Sequence, residues 1–276
     1  MEQAELQAIL DHDERHWWYR GRLRIVTQEV ERLGLGPGAH ILDAGCGSGS
    51  VLDRLASFGE VAGVDVSPMA VQAARARGHD EVLEAAVEGL PFPDASFDLV
   101  TCLDVIEHTP DDVATLRELR RVTRPGGHLL LTVPAYQALW SRHDEVNGHH
   151  RRYVRSDMWT LAEQTGLVLE RDTHFNSLLL PIAAVVRLAG RLRPRPPKTH
   201  RGTRSNLSLT PRVLNPVLEL PLRFEAALLR HGRDLPAGLS VAATFFRPVE
   251  SGVASAEQAP PLAQVRQLTS GSSRPS

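Results

Sequence analysis

The chain has 276 residues, of which 42% are hydrophobic and 23% charged, and its formal net charge is −2. These values are ordinary for a soluble globular protein, and the length allows one elaborated domain or two small ones. Its two cysteines, Cys46 and Cys102, are not spaced as a disulfide framework, and no apolar run reaches the roughly 18 residues of a membrane span. The acidic start at residues 1–5 does not resemble a signal peptide. The sequence therefore predicts a protein of the reducing cytoplasm.

The first predicted element is a helix over residues 14–33. Apolar residues recur there at helical spacing, and Gly34 stands where a helix ends. The helix begins with His16-Trp17-Trp18-Tyr19-Arg20. One interpretation is that one or two tryptophans fasten the helix to the core. The other makes residues 1–38 an N-terminal helical lid, with Trp17, Trp18 and Tyr19 contacting the substrate.

An apolar strand ending in Asp43 leads into a turn with glycines at alternate positions, Gly45, Gly47 and Gly49. Glycines permit positive φ and let the main chain approach a ligand closely. A helical pattern follows, so the unit is strand, turn and helix, which directs main-chain N–H groups at a ligand. A second strand, residues 61–65, ends in Asp65. The spacing from the first glycine, about 20 residues, is that at which a carboxylate reaches ribose hydroxyls.

Other nucleotide-binding turns fit this stretch less well. The third glycine position of the dinucleotide motif is occupied by Ser50, which disfavours a nicotinamide-dependent reductase. No Lys-Ser or Lys-Thr pair follows the glycines, so a phosphate-binding loop is excluded. A turn that serves only strand-to-helix geometry stays open as an alternative, although Asp65 argues against it.

Strands and helices alternate along the next part of the chain. We expect a helix over 67–78 capped by Ser67, short strand 81–85, strand 97–104, a helix opened by Pro110 and Asp111, and strand 128–133. A helix capped by Ser156, strand 167–173 and a last strand at 239–246 complete the pattern. This alternation predicts an α/β protein with a doubly wound, Rossmann-like sheet.

Three further stretches, Leu90–Val100, Asp104–His108 and Arg121–Gly127, accompany the glycine turn. Together they resemble the small-molecule branch of the class I S-adenosylmethionine-dependent methyltransferases, over residues 40–134. The resemblance implies a seven-stranded, mostly parallel sheet with an antiparallel last strand, and S-adenosylmethionine as cofactor. It implies a donor site of Asp43, Gly45, Cys46, Gly47, Asp65, Val66, Ala86, Val87, Leu103 and Asp104. Relatives commonly place Asp where this chain has Ala86, so adenine recognition falls to the main chain of Ala86 and Val87, or to Glu88.

A long polar loop, residues 134–153, follows the fifth strand and faces the expected position of the donor methyl group. Together with the HWWYRGR stretch at residues 16–22, it resembles a subgroup of mostly uncharacterised bacterial methyltransferases. Its candidates for a catalytic base are His143, Asp144 and His149, with His108 and Asp104 at the end of the fourth strand. A structural hydrogen bond is the alternative role for His108.

The same loop carries Arg142, Arg151, Arg152 and Arg155, which indicate an anionic acceptor, with Arg152 and Tyr153 as substrate contacts. Solvated loop charge is the alternative. His143, Asp144, His149 and His150 could together hold a metal ion, but they lack the helical i, i+4 placement of a committed metal site, so no metal is predicted.

Residues 39–175 are predicted to form the core, completed by a last strand within 237–250. Between them lies an insertion, residues 176–236, whose apolar run leads into Arg187 and Arg191. We favour a helical cap over the acceptor pocket; the alternative is an interfacial helix that contacts a membrane through 178–193. Residues 251–276 are predicted to be a disordered tail.

The prediction is a methyltransferase acting on a small-molecule, glycan-linked or lipid-linked acceptor. A basic stretch, 187–212, raises a nucleic-acid methyltransferase as an alternative, but no recognisable nucleic-acid-binding module accompanies it. A donor-binding protein of the same fold without catalysis is the other alternative.

Overall fold

The computed structural model describes residues 16–191 and 215–249. Within them the chain forms a seven-stranded sheet in the order β3-β2-β1-β4-β5-β7-β6. The strands are β1 (Ala39–Ala44), β2 (Gly59–Asp65), β3 (Val82–Glu84), β4 (Phe97–Leu103), β5 (Thr123–Pro134), β6 (Val168–Phe175) and β7 (Ser240–Phe246). β7 runs antiparallel to both of its neighbours, β5 and β6, and the other pairs are parallel. The predicted fold class is confirmed.

Eight α-helices accompany this sheet in the described residues. They are α1 (Trp17–Leu33), α2 (Ser50–Leu55), α3 (Pro68–Ala76), α4 (Asp112–Val122), α5 (Arg142–Asn147), α6 (Arg155–Thr165), α7 (Leu180–Arg191) and α8 (Asn215–Arg230). Short 3₁₀ turns lie at Ile106–His108 and Gln137–Leu139. None of the helices within 16–191 and 215–249 is long and apolar enough to cross a membrane.

Helix α1 packs on one face of the sheet. Its Val26 and Val30 are buried against Ile41, Leu99 and Leu130 of the three central strands. This packing holds the second half of α1 against the sheet.

Helix α8 lies beside α1 and is held close by a glycine. A Cβ on Gly21 would lie 2.2 Å from Leu222 Cδ1, closer than real Cβ contacts. Ile25, Leu222 and Phe175 are all buried in the cluster where α1, α8 and the end of β6 meet. The glycine in the N-terminal stretch is therefore a packing requirement of these two helices.

The opposite face of the sheet is covered by α4 and α6. Leu116 and Leu119 of α4 and Met158 of α6 are completely buried in the largest apolar cluster, together with Leu129 and Leu131 of β5. This cluster carries most of the core, and burial of each such side chain contributes about 1.5–3 kcal/mol.

Two predicted boundaries are corrected by tertiary contacts. β5 begins at Thr123, because the main chain at Gly126 and Gly127 pairs with Arg247 beyond the end of β7, at 2.8 and 2.9 Å. Helix α6 begins at Arg155, so Ser156 does not cap it; the Asp157 carboxylate accepts from the Val154 N–H at 2.8 Å instead. Ser67 caps the start of α3 and Gly166 caps the end of α6, as predicted.

Several predictions fall on residues outside the described ranges. They are the start of the N-terminal helix at 14–15, the middle of the insertion with most of the basic stretch, and the tail at 251–276. Within the described part, the insertion supplies α7 and α8, and its ends join β6 to β7.

Candidate active site

The glycine turn after β1 is closed on one side and open on the other. The N–H groups of Gly45 and Cys46 donate to the Val64 carbonyl at 2.8 and 2.9 Å, which folds the turn over β2. A Cβ on Gly45 would lie 2.4 Å from Val105 Cγ2, so that side is packed. A Cβ on Gly47, whose φ is +54°, would meet no heavy atom within 4 Å. The main chain at Gly47 is therefore where a ligand can approach closely.

Asp65 ends β2 directly beside this opening. Its Oδ2 accepts from the Gly47 N–H at 3.0 Å, and its Oδ1 accepts from the Ser67 N–H at 2.8 Å. Burial raises the pKa of Asp65, and the two main-chain donors oppose that rise. Each carboxylate oxygen keeps acceptor capacity for a ligand hydroxyl. Val66 follows with 71% of its surface exposed, which leaves an apolar patch next to the carboxylate.

The loop after β3 reaches the same edge of the sheet. The Ala85 N–H donates to the Asp65 carbonyl at 3.1 Å, so the loop starts next to Asp65. Val87 is buried, whereas Ala86 and Glu88 are exposed. The Ala86 carbonyl accepts from the Gly89 N–H at 3.2 Å, which fixes the main chain of Ala86 in a turn beside Asp65.

Asp43 is buried at the end of β1, immediately before the glycine turn. The Thr101 hydroxyl donates to its Oδ1 at 2.6 Å. Burial raises the pKa of Asp43 to about 6, and the Thr101 hydrogen bond and the charge of Arg22 offset only part of that rise. Asp43 thus ties β1 to β4 underneath the opening.

Helix α1 is hydrogen-bonded to the end of β4 through Arg22. Asp104 follows the strand with a φ of +56° and accepts from Arg22 Nη1 at 2.5 Å. The same nitrogen donates to the Leu103 carbonyl at 3.3 Å, and the Arg22 guanidinium lies 5.4 Å from the centre of the Tyr19 ring. The first turns of α1 are therefore fixed over the carboxyl end of β4.

Strained backbone marks the same edge of the sheet. Asp104, Tyr136 and Asn176 have φ values of +56°, +61° and +60°, and they follow β4, β5 and β6 respectively. Non-glycine residues seldom adopt this conformation, which recurs at functional sites. The Tyr136 hydroxyl lies 3.0 Å from Nε2 of His174, and the two rings are stacked.

An Asp–His pair stands in the loop after β5. Asp144 is completely buried, and its Oδ1 lies 3.0 Å from His149 Nδ1 and 2.7 Å from Arg152 Nε. Burial by itself raises the pKa of Asp144, but the hydrogen bonds from His149 and Arg152 outweigh it and hold that pKa well below its usual range. An ionised Asp144 that accepts from Nδ1 leaves Nε2 of His149 as a proton acceptor.

His108 and Glu107 lie in the 3₁₀ turn after β4, next to His149. The rings of His108 and His149 meet edge to face at 4.7 Å. Burial lowers the pKa of His108 to about 4, so its imidazole is neutral at pH 7. Glu107 is buried, and burial followed by the charge of Asp104 raises its pKa well above its usual range. Its Oε2 has no hydrogen-bond partner among residues 16–191 and 215–249.

These three side chains are also those, in the described part of the chain, whose arrangement could hold a metal ion. Glu107, His108 and His149 each offer one ligand atom, and these atoms lie within 4.8 Å of one another. The cluster differs from the set weighed in the sequence, because Asp144 is already engaged by Arg152 and by the Ser141 N–H.

His143 stands at the edge of this group. Its ring lies 6.3 Å from that of His149, and its Nε2 lies 2.9 Å from the amide nitrogen of Asn147, which donates to it. Burial lowers the pKa of His143 to about 4. His143 is therefore neutral and already accepts a hydrogen bond from Asn147.

Comparison with known proteins identifies the core. The family described as Methyltransferase domain matches residues 42–131, which run from β1 to β5 and contain the glycine turn, Asp65 and Asp104. Residues 42–131 of this chain form a methyltransferase domain.

Curated relatives support the same assignment over a limited length. The chain is 37% identical over 102 residues to a ubiquinone biosynthesis O-methyltransferase of Xanthomonas oryzae pv. oryzae, an alignment that covers 34% of this chain and 43% of the relative. The chain thus spans less than half the length of this relative, so the shared part is the methyltransferase domain.

Solved structures share the fold beyond this domain. A chain of the Haloferax volcanii complex between the Trm112 methyltransferase activator and a methyltransferase matches with a TM-score of 0.58 at 21% identity, over 91% of this chain and 99% of that one. The phosphoethanolamine N-methyltransferase 2 of Haemonchus contortus, solved with S-adenosyl-L-methionine, matches with a TM-score of 0.52 at 19% identity, over 80% and 51% of the chains.

The methyltransferase domain brings most of the predicted donor residues to one edge. The glycine turn, Asp65 and its neighbour Val66, Ala86 and the Leu103–Asp104 strand end all lie at the carboxyl ends of adjacent strands β3, β2, β1 and β4. The open space beside Gly47 and the accepting capacity of Asp65 fit a ligand with a ribose.

Two predicted substrate contacts are wrong. Arg152 is 7% exposed and donates to Asp144 and to the Ala135 carbonyl, at 2.7 and 3.0 Å. Tyr153 is 2% exposed, and its hydroxyl donates to Asp112 at 3.1 Å. Both side chains hold the loop to the core, because satisfying a buried polar group requires a partner inside the protein.

Two neighbouring arginines, Arg151 and Arg155, also form ion pairs within the protein. Arg151 pairs with Asp112 at 2.9 Å, and Arg155 pairs with Asp172. These contacts remove the basis for an anionic acceptor that the sequence placed on Arg151, Arg152 and Arg155. Arg142 is exposed on α5.

The tryptophans of the N-terminal stretch fasten α1 rather than line the opening. The Trp18 ring is stacked on Phe175 at 5.7 Å, and both tryptophans pack against the cluster shared with α8. Of the three aromatic residues predicted to contact the substrate, Tyr19 lies beside Arg22 at the end of β4. The fastening interpretation therefore holds for Trp17 and Trp18.

Three residues at the site were not predicted from the sequence. Arg22 clasps Asp104, Glu107 presents a buried carboxyl, and Arg187 of α7 has a buried Nη1 without a hydrogen-bond partner among the described residues. Burial lowers the pKa of Arg187 to about 10, and Arg152 adds to that effect. The HWWYRGR stretch contained Arg22, but only the folded chain shows its partner.

Proposed function

We propose that this chain binds S-adenosylmethionine and transfers its methyl group to a small-molecule acceptor. The observation that carries the proposal is the meeting, at one sheet edge, of the open glycine turn with Asp65 and the buried Asp144–His149 pair. S-adenosylmethionine supplies a methyl group already activated on a sulfonium. The protein must then align the acceptor, which contributes about 7–11 kcal/mol to lowering a barrier, and remove its proton.

The donor side is assigned to residues of four strand ends. Asp65 would accept from the ribose hydroxyls, the main chain at Gly47 would approach the methionine part, and Val66 would lie against the adenine. The turn at Ala86–Gly89 would supply main-chain groups to the adenine edge, since Ala86 offers no polar side chain. Asp43 would act from below the turn through its charge.

His149 is the best-supported base. Asp144 fixes its ring by accepting from Nδ1, which leaves Nε2 as the proton acceptor and stabilises the imidazolium that forms after proton removal. Asp144 is then a positioning residue and not itself a base. His143 ranks lower because Asn147 occupies its Nε2. The His108 ring packs edge to face on the His149 ring.

An oxygen acceptor is supported by two observations. A hydroxyl has to lose its proton during methyl transfer, and Nε2 of His149, whose ring is held by Asp144, offers an acceptor for that proton. The curated relatives that match the domain are named ubiquinone biosynthesis O-methyltransferases. A negative group elsewhere on the acceptor is supported by Arg187, whose buried Nη1 lacks a partner. The acceptor is a metabolite, free or carried on a glycan or lipid.

The test compares His149→Ala with His150→Ala, its exposed neighbour, and with His143→Ala. Turnover is measured as S-adenosylhomocysteine released with a panel of phenolic and carboxylated hydroxyl compounds, and donor affinity is measured by calorimetry. We expect His149→Ala to lower turnover about 10²- to 10⁴-fold with unchanged donor affinity. The turnover of His150→Ala should match that of the unmodified chain. His143→Ala should lower turnover less than His149→Ala does.

Adding a chelator to the same assay distinguishes a catalytic base at His149 from a metal ion bound there. Loss of turnover on chelation, restored by adding a divalent cation, would assign Glu107, His108 and His149 to that ion and overturn the base. Donor binding without product from any acceptor would favour the non-catalytic alternative. Methyl incorporation into RNA or DNA would favour the nucleic-acid alternative.

A further inference from the structure

The two helices of the insertion expose apolar side chains in stripes. Seven large apolar side chains there are each more than half exposed, and they recur every three or four residues, as on one face of a helix. They are Leu178, Ile182, Val185 and Val186 before and along α7, and Val217, Leu220 and Phe224 on α8. We call these seven side chains the insertion face.

The main chain just before α7 is hydrogen-bonded to α8. Glu225 Oε1 accepts from the N–H groups of Ser177 and Leu178, at 2.8 and 2.9 Å. This brings Leu178 to the turn of α8 that carries Phe224. Helix α8 is held on its other side by Leu222, Ala226 and Leu229 in the core, which leaves its apolar stripe exposed.

Arginines border this face. A cavity of about 660 Å³ between α1 and α8 is lined by basic residues, namely Arg20, Arg24, Arg54, Arg223, Arg230 and His231. Arg20 and Arg24 pair with the buried Glu219, and Arg54 pairs with Glu31. Arg223 and Arg230 lie seven residues apart on α8, beside the Val217–Phe224 stripe. Neither has an ion-pair or hydrogen-bond partner among residues 16–191 and 215–249.

The sequence of the insertion is also positively charged, like the arginines that border the insertion face. Between Asp172 and Glu219 there is no acidic residue, whereas eight residues are basic. An apolar stripe flanked by unpaired arginines is the composition that suits the interface of a bilayer with negative headgroups. Association of two copies through this face would bring like charges together, which is unfavourable.

We propose that the insertion face docks this chain on an anionic phospholipid bilayer. The apolar stripes lie in the boundary between headgroups and acyl chains, and Arg223 and Arg230 face the lipid phosphates. Helix α7 packs against the 3₁₀ turn Gln137–Leu139 after β5. Docking through α7 would therefore place the carboxyl edge of the sheet next to the bilayer.

The experiment measures binding of the full chain to vesicles of phosphatidylcholine alone and with about one third phosphatidylglycerol. We expect sedimentation with the anionic vesicles and much weaker binding at high salt. Leu220→Ser/Phe224→Ser should lower the vesicle partition coefficient at least about tenfold, since apolar burial drives insertion. Arg223→Gln/Arg230→Gln should lower it about fivefold per arginine.

Matched controls are Trp159→Ser on α6, whose side chain is 56% exposed, and Arg117→Gln, an exposed residue of α4. Both should bind as the unmodified chain does, and all variants should keep its melting temperature, because the changed residues are exposed. Absence of binding to anionic vesicles, or a double variant that binds like the controls, would overturn the proposal. So would a dimer in light scattering that Leu220→Ser/Phe224→Ser dissociates, without vesicle binding. Neither outcome bears on methyl transfer.

Discussion

At the scale of single residues, burial keeps two histidines near the site, His108 and His143, uncharged at pH 7. The pKa values of His108 and His143 are lowered to about 4, mainly by burial, with His149 adding to the effect on His108. In the unfolded chain both would titrate near 6.5. The folded protein thus binds fewer protons than the unfolded one between about pH 6.5 and 4.

At these two histidines the difference predicts a contribution to stability that falls with acid, whereas the raised pKa of the buried Glu107 acts in the opposite direction. As the pH falls from 7 to 5, each of the two histidines should cost about 2 kcal/mol of unfolding free energy, because the unfolded state takes up the proton first. The buried Asp43 acts in the opposite direction, since its pKa is raised to about 6. The check is urea unfolding at both pH values for the unmodified chain and for His143→Gln.

The His143→Gln variant should lose less stability over this interval than the unmodified chain. His150→Gln, at the exposed neighbouring position, serves as the matched control and should follow the unmodified chain. Equal losses in His143→Gln and the unmodified chain would contradict the burial of the His143 ring.

At the scale of elements, the contact between α1 and α8 positions the site. α1 carries Arg22 to Asp104, and its distance from α8 is set by Gly21 against Leu222. The same contact holds the insertion on the sheet. A change at Gly21 therefore tests whether two segments far apart in sequence depend on one close approach.

Gly21→Ala should lower the free energy of unfolding by about 1–3 kcal/mol, because the added Cβ would lie 2.2 Å from Leu222 Cδ1. The gain in helix propensity, at most about 1 kcal/mol, does not offset that overlap. The measurement is chemical denaturation of Gly21→Ala, Leu222→Ala and the double variant.

The double variant should be more stable than the sum of the single changes predicts, because Leu222→Ala removes Cδ1 and Cγ, two of the three Leu222 atoms that the new Cβ would meet, and leaves only Cβ at 2.8 Å. Gly36→Ala is the matched control: a Cβ there would meet nothing within 4 Å, so its stability should be nearly unchanged. Additive losses in the cycle would contradict the packing of Gly21 on Leu222.

At the scale of the whole molecule, donor binding and folding are linked. The donor residues come from four strands, so the site exists only in the folded chain. A ligand at 100 times its dissociation constant should raise the free energy of unfolding by about 2.7 kcal/mol. S-adenosylmethionine should therefore raise the melting temperature by several degrees, and NAD at the same concentration should not.

Asp65→Ala should weaken donor affinity at least about tenfold, since a charged hydrogen bond contributes about 1.5–3 kcal/mol. At the same donor concentration its thermal shift should shrink accordingly. Glu163→Ala, an exposed acid on α6, is the control and should keep the full shift. Calorimetry on the three proteins checks both statements, and unchanged affinity in Asp65→Ala would remove the donor assignment.

The sequence by itself determined the class of the sheet and supplied the candidates for the donor half of the site. The alternation of strands and helices predicted a doubly wound sheet, and the resemblance implied its antiparallel last strand. Gly47 and Asp65 could be proposed as donor residues because turn conformation and strand-end position depend on short stretches of chain. The boundaries that failed, at Thr123 and at Ser156, are those set by Arg247 and Asp157 through contacts outside the local pattern. Local rules do not contain such partners.

Only the tertiary structure decided which polar residues of the loop are available for chemistry. In sequence, His143 and His149 are candidate bases and Arg152 is a candidate substrate contact. In the fold, Asp144 is buried between His149 and Arg152, and it accepts hydrogen bonds from both. Likewise, Arg22 gained its role from Asp104, which lies 82 residues away. Composition gives each group its chemistry; burial and pairing, which depend on the whole fold, decide whether that chemistry faces a ligand.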